Sequence, residues 1–407
     1  MSHGYALAFD LGTTTLAARL VDGQGTCVAQ AGRYNPQIPF GADVIRRMEN
    51  AVAGQGEVLQ QLLQQALVEL AGELVTQAGL TLGDVGSVVA AGNPAISLLL
   101  QGADVQSLLR PPYRPTVKEG LVLAVPGLPV PLYLMPLVSG FVGGDLVSVL
   151  YGVEAPIAGS LFIDVGTNGE MALFDGQSWW VTSVAAGPAF EGGQVACGMP
   201  AVAGAVRRVH LEQDQLRLEV IGDLPPRGLC GSGLVTAIAA AREGGLLDDA
   251  GTLVDPDEVT TNLVRYLMEE KGQRSLCLYR DARVRLCLSQ EEIRQFQLAK
   301  GAVYAGAQCL LERAELPPDA LQQVVLTGAL GFSLPAEALK SVALLPEYMI
   351  KKVIFMRDGV LAGLTRFLLQ PDAAAEVGRL VGAMRSYPLS GTPRFERAFV
   401  RALNFNV

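Results

Sequence analysis

The chain has 407 residues, enough for two or three domains with a sizeable interior. Half of its residues are hydrophobic and 17% are charged, which suits a compact globular enzyme and excludes a disordered chain. Its 31 basic and 40 acidic residues give a net charge of −9 with no basic stripe, so nucleic acid is not an expected partner.

In chain order, an apolar run over residues 5–9 ends at Asp10, turns through Leu11-Gly12-Thr13-Thr14-Thr15, and resumes over residues 16–21, which predicts a β-hairpin. No basic region with an apolar signal core precedes it, so a cytoplasmic location is expected. Residues 43–50 predict an amphipathic helix capped by Asp43, with Arg46 and Arg47 exposed. The Gln/Leu-rich run 58–66 has helical apolar spacing and predicts a surface helix. Residues 88–92 read as a buried strand ending at Gly92, after which Asn93 caps a helix beginning at Pro94. Residues 120–144 carry no charge over a length that could cross a membrane, yet Pro126, Pro129, Pro131 and Pro136 break helices, so buried strands and no membrane span are expected. Gly143-Gly144-Asp145 then opens an apolar helix.

Asp164-Val165-Gly166-Thr167-Asn168-Gly169, between the runs 161–163 and 170–174, repeats the first turn. Such a turn exposes backbone N–H groups and hydroxyls in an anion-binding concavity, and each strand-end aspartate is placed to hold Mg²⁺ through water. Two facing hairpins would clamp a polyphosphate and its metal. The duplication extends further: the run 324–328 ends at Gly328 as the run 88–92 ends at Gly92, and Asp358-Gly359 stands beside an apolar helix as Gly144-Asp145 does. Between hairpin aspartate and strand-end glycine the second half is twice as long as the first, which predicts an inserted subdomain between Cys197 and Ser289. Neither a Walker-type loop nor a complete Gly-x-Gly-x-x-Gly after a strand occurs, so phosphate binding rests on the hairpins.

This order of hairpins, helices and strand-to-glycine segments resembles the actin, sugar kinase and Hsp70 superfamily of ATPases. Within it, the chain is similar to the ATPase domain of reductive activators of corrinoid proteins, through Asn35-Pro36-Gln37, Phe40 to Ile45, Gly92-Asn93, Gly140 to Asp145, Ile163 to Glu170, Ala185 to Gly192, Gly228 to Leu234 and Gln297 to Lys300. The resemblance implies an α/β fold of two duplicated actin-like (ribonuclease H-like) lobes. The first covers residues 1–155 and the second 156–370, the latter with an insertion at about 197–289. Residues 371–407 form a tail packing on a lobe or on a second protomer. It implies ATP and Mg²⁺ at Asp10, Gly12, Thr13, Thr14, Thr15, Asp164, Gly166, Thr167, Asn168 and Gly169. Gly187, Glu191, Gly192, Gly231, Ser232 and Gly233 belong to the same expected site, and Gly328, Ala329 and Gly331 form its adenosine segment. Asp145 is expected to polarise the attacking water or hydroxyl, with helix capping as its other reading. Two departures concern nucleotide contact: Asp358-Gly359 stands where the family commonly has Gly-Asn, and Gly328-Ala329-Leu330-Gly331 where it has a Gly-Gly-Phe-Gly type.

Six cysteines and two histidines, His3 and His210, show no metal-ligand spacing, so no iron-sulfur cluster is expected in this chain. Members of the activator family carry a ferredoxin-like [2Fe-2S] domain, whereas this chain starts at the ATPase, so electrons are expected from a separate low-potential donor. Cys197 and Cys230 read either as buried small residues or as half of a cluster shared across a homodimer axis. The implied partner is a corrinoid protein or cobalamin-dependent methyltransferase, whose inactive Co(II) is reduced to Co(I) with the help of ATP. A small-molecule kinase using Asp145 as base, and a nucleotide-gated assembly protein, are the alternatives.

Overall fold

The computed structural model describes residues 4–270, 272–328, 330, 334–389 and 391–407, leaving aside the side chains of Glu191 and Glu270. Its contacts divide the chain into two units. The first comprises residues up to 156 with 176–182 and 358–388, and the second residues 157–175, 183–357 and 389–407.

In the first unit a six-stranded sheet runs in the order Cys27–Tyr34, Thr15–Asp22, Tyr5–Leu11, Val85–Gly92, Leu132–Leu134, Leu121–Leu123. The strand Tyr5–Leu11 pairs antiparallel with Thr15–Asp22 and parallel with Val85–Gly92. Consecutive Leu7, Ala8 and Phe9 are all fully buried, as expected for a central strand covered on both faces. The helix Gly56–Gln77 packs on the two outer strands of the hairpin side through Leu59, Leu63, Leu67, Leu70 and Leu74, an apolar stripe at three- and four-residue steps. The Gln/Leu-rich run therefore lies on this helix, as its spacing predicts. The helix Gly359–Leu369 packs on Tyr5–Leu11 and Val85–Gly92 and crosses Gly144–Tyr151 closely. A Cβ at Gly363 would lie 1.7 Å from the Ser148 carbonyl oxygen, and the Ser148 hydroxyl donates to the Val360 carbonyl at 2.7 Å.

In the second unit the order is Val353–Phe355, Gln323–Gly328, Ser160–Val165, Asn168–Phe174, followed by Trp179–Ala185, whose residues 183–185 belong to this unit. Ser160–Val165 pairs antiparallel with Asn168–Phe174 and parallel with Gln323–Gly328. Each unit thus repeats one pattern, in which a hairpin's first strand is flanked by a parallel strand ending in glycine. Registers correspond as well: Leu11 stands opposite Gly92, and Val165 opposite Gly328. Residues 197–289 form two three-stranded sheets, Gln215–Val220, Ala205–Glu212, Gly228–Leu229 and Leu267–Glu270, Gln273–Arg280, Arg285–Ser289, with the helix Gly231–Glu243. The long helix Gln290–Arg313 begins at a capping box of Ser289 and Glu292 and packs on the second hairpin.

One local expectation fails. Asp43 does cap the helix Val44–Asn50, accepting from the Arg46 N–H at 2.9 Å, but only Arg46 is exposed. Arg47 is fully buried, its Nε donating to the Gly41 carbonyl at 2.9 Å. Helical spacing assigns Arg47 to the solvent face, whereas the turn at Gly41 folds back and supplies an acceptor inside.

Among the described residues no helix is long and apolar enough to cross a membrane.

Candidate functional site

The first half of the expected site is assembled within the first unit. Residues 12–14 form the tight turn, with Thr15 already the exposed first residue of the next strand. Two asparagines fix this turn. Asn35 donates from Nδ2 to the Gly12 carbonyl at 2.9 Å and from its backbone N–H to the Thr14 carbonyl at 2.8 Å. Asn93 donates from Nδ2 to Thr13 Oγ1 at 3.0 Å while its Oδ1 accepts from the Ile96 N–H at 3.1 Å, so one amide caps the helix Pro94–Gln101 and holds the turn. Asp10 is half-buried at the end of its strand, opposite Ala91.

Against the Gly92-Asn93 junction lies the start of the helix Gly144–Tyr151. A Cβ at Gly143 would stand 2.4 Å from the Gly92 carbonyl oxygen, so only glycine allows that approach. Gly143 is the N-cap, and Asp145 sits in the first helical turn, where its Oδ1 accepts from the Leu146 N–H at 2.8 Å. The capping alternative for Asp145 is thereby excluded in its strict form. Burial pushes the Asp145 carboxyl up to about 6, against the pull of the Leu146 N–H. Its counterpart Asp358 differs: as the N-cap of Gly359–Leu369 at φ +50°, it forms an ion pair with Arg19 at 3.0 Å.

The second half lies in the second unit. Residues 166–167 join the strands, the Gly166 N–H reaching the Asn168 carbonyl at 3.2 Å and Thr167 being buried. The Thr167 carbonyl accepts from the Gly187 N–H at 2.8 Å, which joins the hairpin to the turn containing Pro188–Glu191. Asp164, half-buried, faces Glu170 across the hairpin and Thr327 on the parallel strand. Gly328, at φ +89°, permits the closest approach here, since a Cβ on it would lie 2.1 Å from Asp164 Oδ1. Gly169 is buried in its strand, and Gly192, at φ +81°, ends the 3₁₀ turn against Gly198 and Met199. Ala329 and Gly331 lie outside the described residues, as does the side chain of Glu191.

The run Gly231, Ser232, Gly233 opens the helix Gly231–Glu243. All three residues are buried, Ser232 Oγ donates to the Arg207 carbonyl at 2.9 Å, and a Cβ at Gly233 would strike the Val206 carbonyl at 2.0 Å. Cys230 and Cys197 are both buried, with Cys230 bonded to the Val206 carbonyl at 3.4 Å and Cys197 to the Cys287 carbonyl at 3.4 Å. The Gln297 to Lys300 stretch anchors the chain end. Gln297 Nε2 donates to the Ala250 and Leu403 carbonyls at 2.9 and 2.7 Å, and Lys300 Nζ donates to the Asn404 carbonyl over the Phe405 ring. Burial, with a smaller contribution from Arg242, lowers Lys300 to about 7. Sequence reasoning names Asn93 as a cap and as part of a matching stretch, and Asn35 only as part of one; their hold on the turn depends on partners 80 and 23 residues away.

A strand-end carboxylate beside a glycine-hydroxyl turn, present in each unit, is oxygen-donor chemistry of the kind Mg²⁺ takes.

Known proteins carry the same architecture. The family profile described as the RACo middle region matches residues 5–155, and the one described as the C-terminal domain of RACo, the ASKHA domain, matches residues 158–407. The corrinoid activation enzyme RamQ of Eubacterium limosum is 30% identical over 97% of this chain and 69% of its own length. The Co(II) methylated amine-specific corrinoid protein reductase of Methanosarcina barkeri is 22% identical over 92% of this chain and 71% of its own length. A solved structure named as a reductive activator for corrinoid, iron-sulfur protein superposes with a TM-score of 0.91 at 29% identity, covering 99% of this chain and 66% of that one. The chain thus spans about two thirds of the length of these relatives. With the two profiles accounting for nearly all of its residues, the chain belongs to the RACo family and carries its ASKHA-type ATPase fold.

Proposed function

We propose that the protein is an ATP-dependent reductive activator of a corrinoid protein, promoting return of inactive Co(II) to Co(I) with electrons from a separate low-potential donor. The observation that carries this reading is the pair of like-built hairpins, one in each unit, inside a chain that shares its fold and family with corrinoid activators. Asp10 and Asp164 are the residues to hold Mg²⁺ through water. The turns 12–14 and 166–167 would face the phosphate oxygens, with Asn168 and Gly169 beginning the strand beyond the second turn. Gly328 keeps the approach to Asp164 open.

Phosphoryl chemistry asks mainly for positioning and charge stabilisation. Asp145, ionised above about pH 6, accepts a proton from the attacking water, the elevated value making it a better base at neutral pH than an ordinary aspartate. Reduction to Co(I) is uphill, about 59 mV for each tenfold disadvantage of a one-electron step. ATP assists only through differential affinity of its bound and hydrolysed states for the partner's states. A first lobe ending near residue 155, and cytoplasmic action, belong to the same proposal, with residues 358–388 grouped with that first lobe rather than the second.

ATP hydrolysis by the purified protein with Mg²⁺, measured with and without a Co(II) corrinoid protein, tests this. A slow rate raised by the corrinoid protein and abolished in Asp10→Ala supports it. A rate indifferent to that partner, with phosphate passed to a metabolite, would establish the kinase reading instead.

A further inference from the structure

Of the four cysteines in the inserted region, three, Cys197, Cys277 and Cys287, lie close together. Cys277 and Cys287 stand directly opposite each other in the antiparallel pair Gln273–Arg280 and Arg285–Ser289. Opposed residues of such a pair share one face of the sheet, with Cα atoms about 4.5 or 5.5 Å apart. Both spacings fall within the span of roughly 4.4–6.8 Å that a disulfide bridges. The Cys277 thiol donates to the Tyr279 carbonyl of its own strand at 3.7 Å.

Their surroundings are unequal. Cys287 is half-buried, and the Arg285 guanidinium donates from Nε to its sulfur at 3.2 Å. Cys277 is buried, its thiol pushed up to about 11 by desolvation and then by Cys287. Cys197 lies behind them, its sulfur engaged by the Cys287 carbonyl and its thiol pushed up to about 12 by burial and then by Glu292. A reachable sulfur beside a cation, with a second thiol in bonding register, is the arrangement of an attacking and a resolving cysteine.

We propose that Cys277 and Cys287 form a reversible dithiol–disulfide pair that exchanges with low-molecular-weight disulfides. Cys287 attacks the small disulfide as its thiolate, forming a mixed disulfide and releasing one small thiol. Cys277 then loses its proton and attacks the Cys287 sulfur, releasing the second small thiol. Two protein thiols and one small disulfide thus become one protein disulfide and two small thiols. The bond closes two residues before Ser289, the cap of the helix Gln290–Arg313, and so places a redox-responsive clip at the start of the helix that packs on the second hairpin.

The test uses the intact folded protein in mixtures of oxidised and reduced glutathione, followed by acid quench, alkylation, trypsin and mass spectrometry. The expected product is a single internal link between the peptides 275–280 and 286–294, reversed by excess reduced glutathione. Cys277→Ser should trap Cys287 as its glutathione mixed disulfide, Cys287→Ser should leave Cys277 free for alkylation, and Arg285→Gln should slow linking several-fold. Exposed Cys27 provides the internal reference for a non-resolved mixed disulfide. Full alkylation of both thiols at every ratio at which Cys27 reacts, or a link made by Cys197 instead, overturns the proposal.

Discussion

Asn93 donates to the hydroxyl of Thr13 across 80 residues of sequence, and the same side chain caps the helix that follows the strand Val85–Gly92. The turn between the first two strands is therefore positioned by the Gly92-Asn93 junction together with Asn35, not by its own residues alone. Asn93→Ala should remove a cap worth about 1 kcal/mol together with the hold on Thr13. We expect a lower urea midpoint and ATP affinity about tenfold weaker, the latter equivalent to about 1.4 kcal/mol, measured by calorimetric titration. Unchanged affinity would remove Thr13 from the binding account.

Gly328→Ala should act on the second half. It combines strain at φ +89° with a contact at 2.1 Å to Asp164 Oδ1. The cost should be about 1–3 kcal/mol, with loss of Mg²⁺-dependent ATP binding disproportionate to the loss of stability. Equal affinity in the folded variant would mean that the Asp164 carboxylate is not used.

Gly363→Ala probes the fold without touching a proposed contact. Its Cβ would meet the Ser148 carbonyl at 1.7 Å, forcing apart the helices Gly144–Tyr151 and Gly359–Leu369. Thermal unfolding should fall by the equivalent of about 1–3 kcal/mol. Preserved stability would show that the crossing is looser than described.

Asp145 carries a prediction about pH. Its folded value, about 6, lies above the ordinary 3.8, so the folded state holds the proton more tightly and loses stability as pH rises from about 4 to 6. Asp145→Asn should consequently be as stable as the wild type or more so at pH 7, by on the order of 1 kcal/mol, the gap closing near pH 4. Hydrolysis by the wild type should decline below about pH 6 and be nearly absent in the variant. A variant with wild-type rate at pH 7 would exclude Asp145 as the base.

For Lys300 the sign is opposite. Its value of about 7 lies below the ordinary 10.5, so the unfolded chain binds more protons between them and wild-type stability rises with pH over that window. Lys300→Met lacks this rise. The stability difference between the two, measured by urea unfolding, should therefore move toward the wild type from pH 7 to 10. A difference that stays flat would show that Lys300 is not held in a desolvated site.

Much of this was legible in the sequence because it is local. Hairpins announce themselves through apolar runs broken by Asp-x-Gly-Thr and Asp-x-Gly-Thr-Asn, and the leucine spacing of Gly56–Gln77 dictates its buried stripe. The parallel strands ending at Gly92 and Gly328 were readable from apolar runs meeting glycine. What escaped depends on distant partners. Arg47 looks like a surface residue until the Gly41 carbonyl is found beneath it. The Gln297 to Lys300 stretch gave no sign that its polar ends bind the carbonyls of residues 403 and 404.

The most direct test of the central claim is the optical spectrum of a Co(II) corrinoid protein mixed with this protein, Mg²⁺, ATP and a low-potential electron donor under strict anaerobiosis. The account predicts conversion to Co(I) that requires both ATP and this protein and fails with Asp10→Ala. Conversion at the same rate and extent without ATP, or none at any concentration of donor, would contradict it.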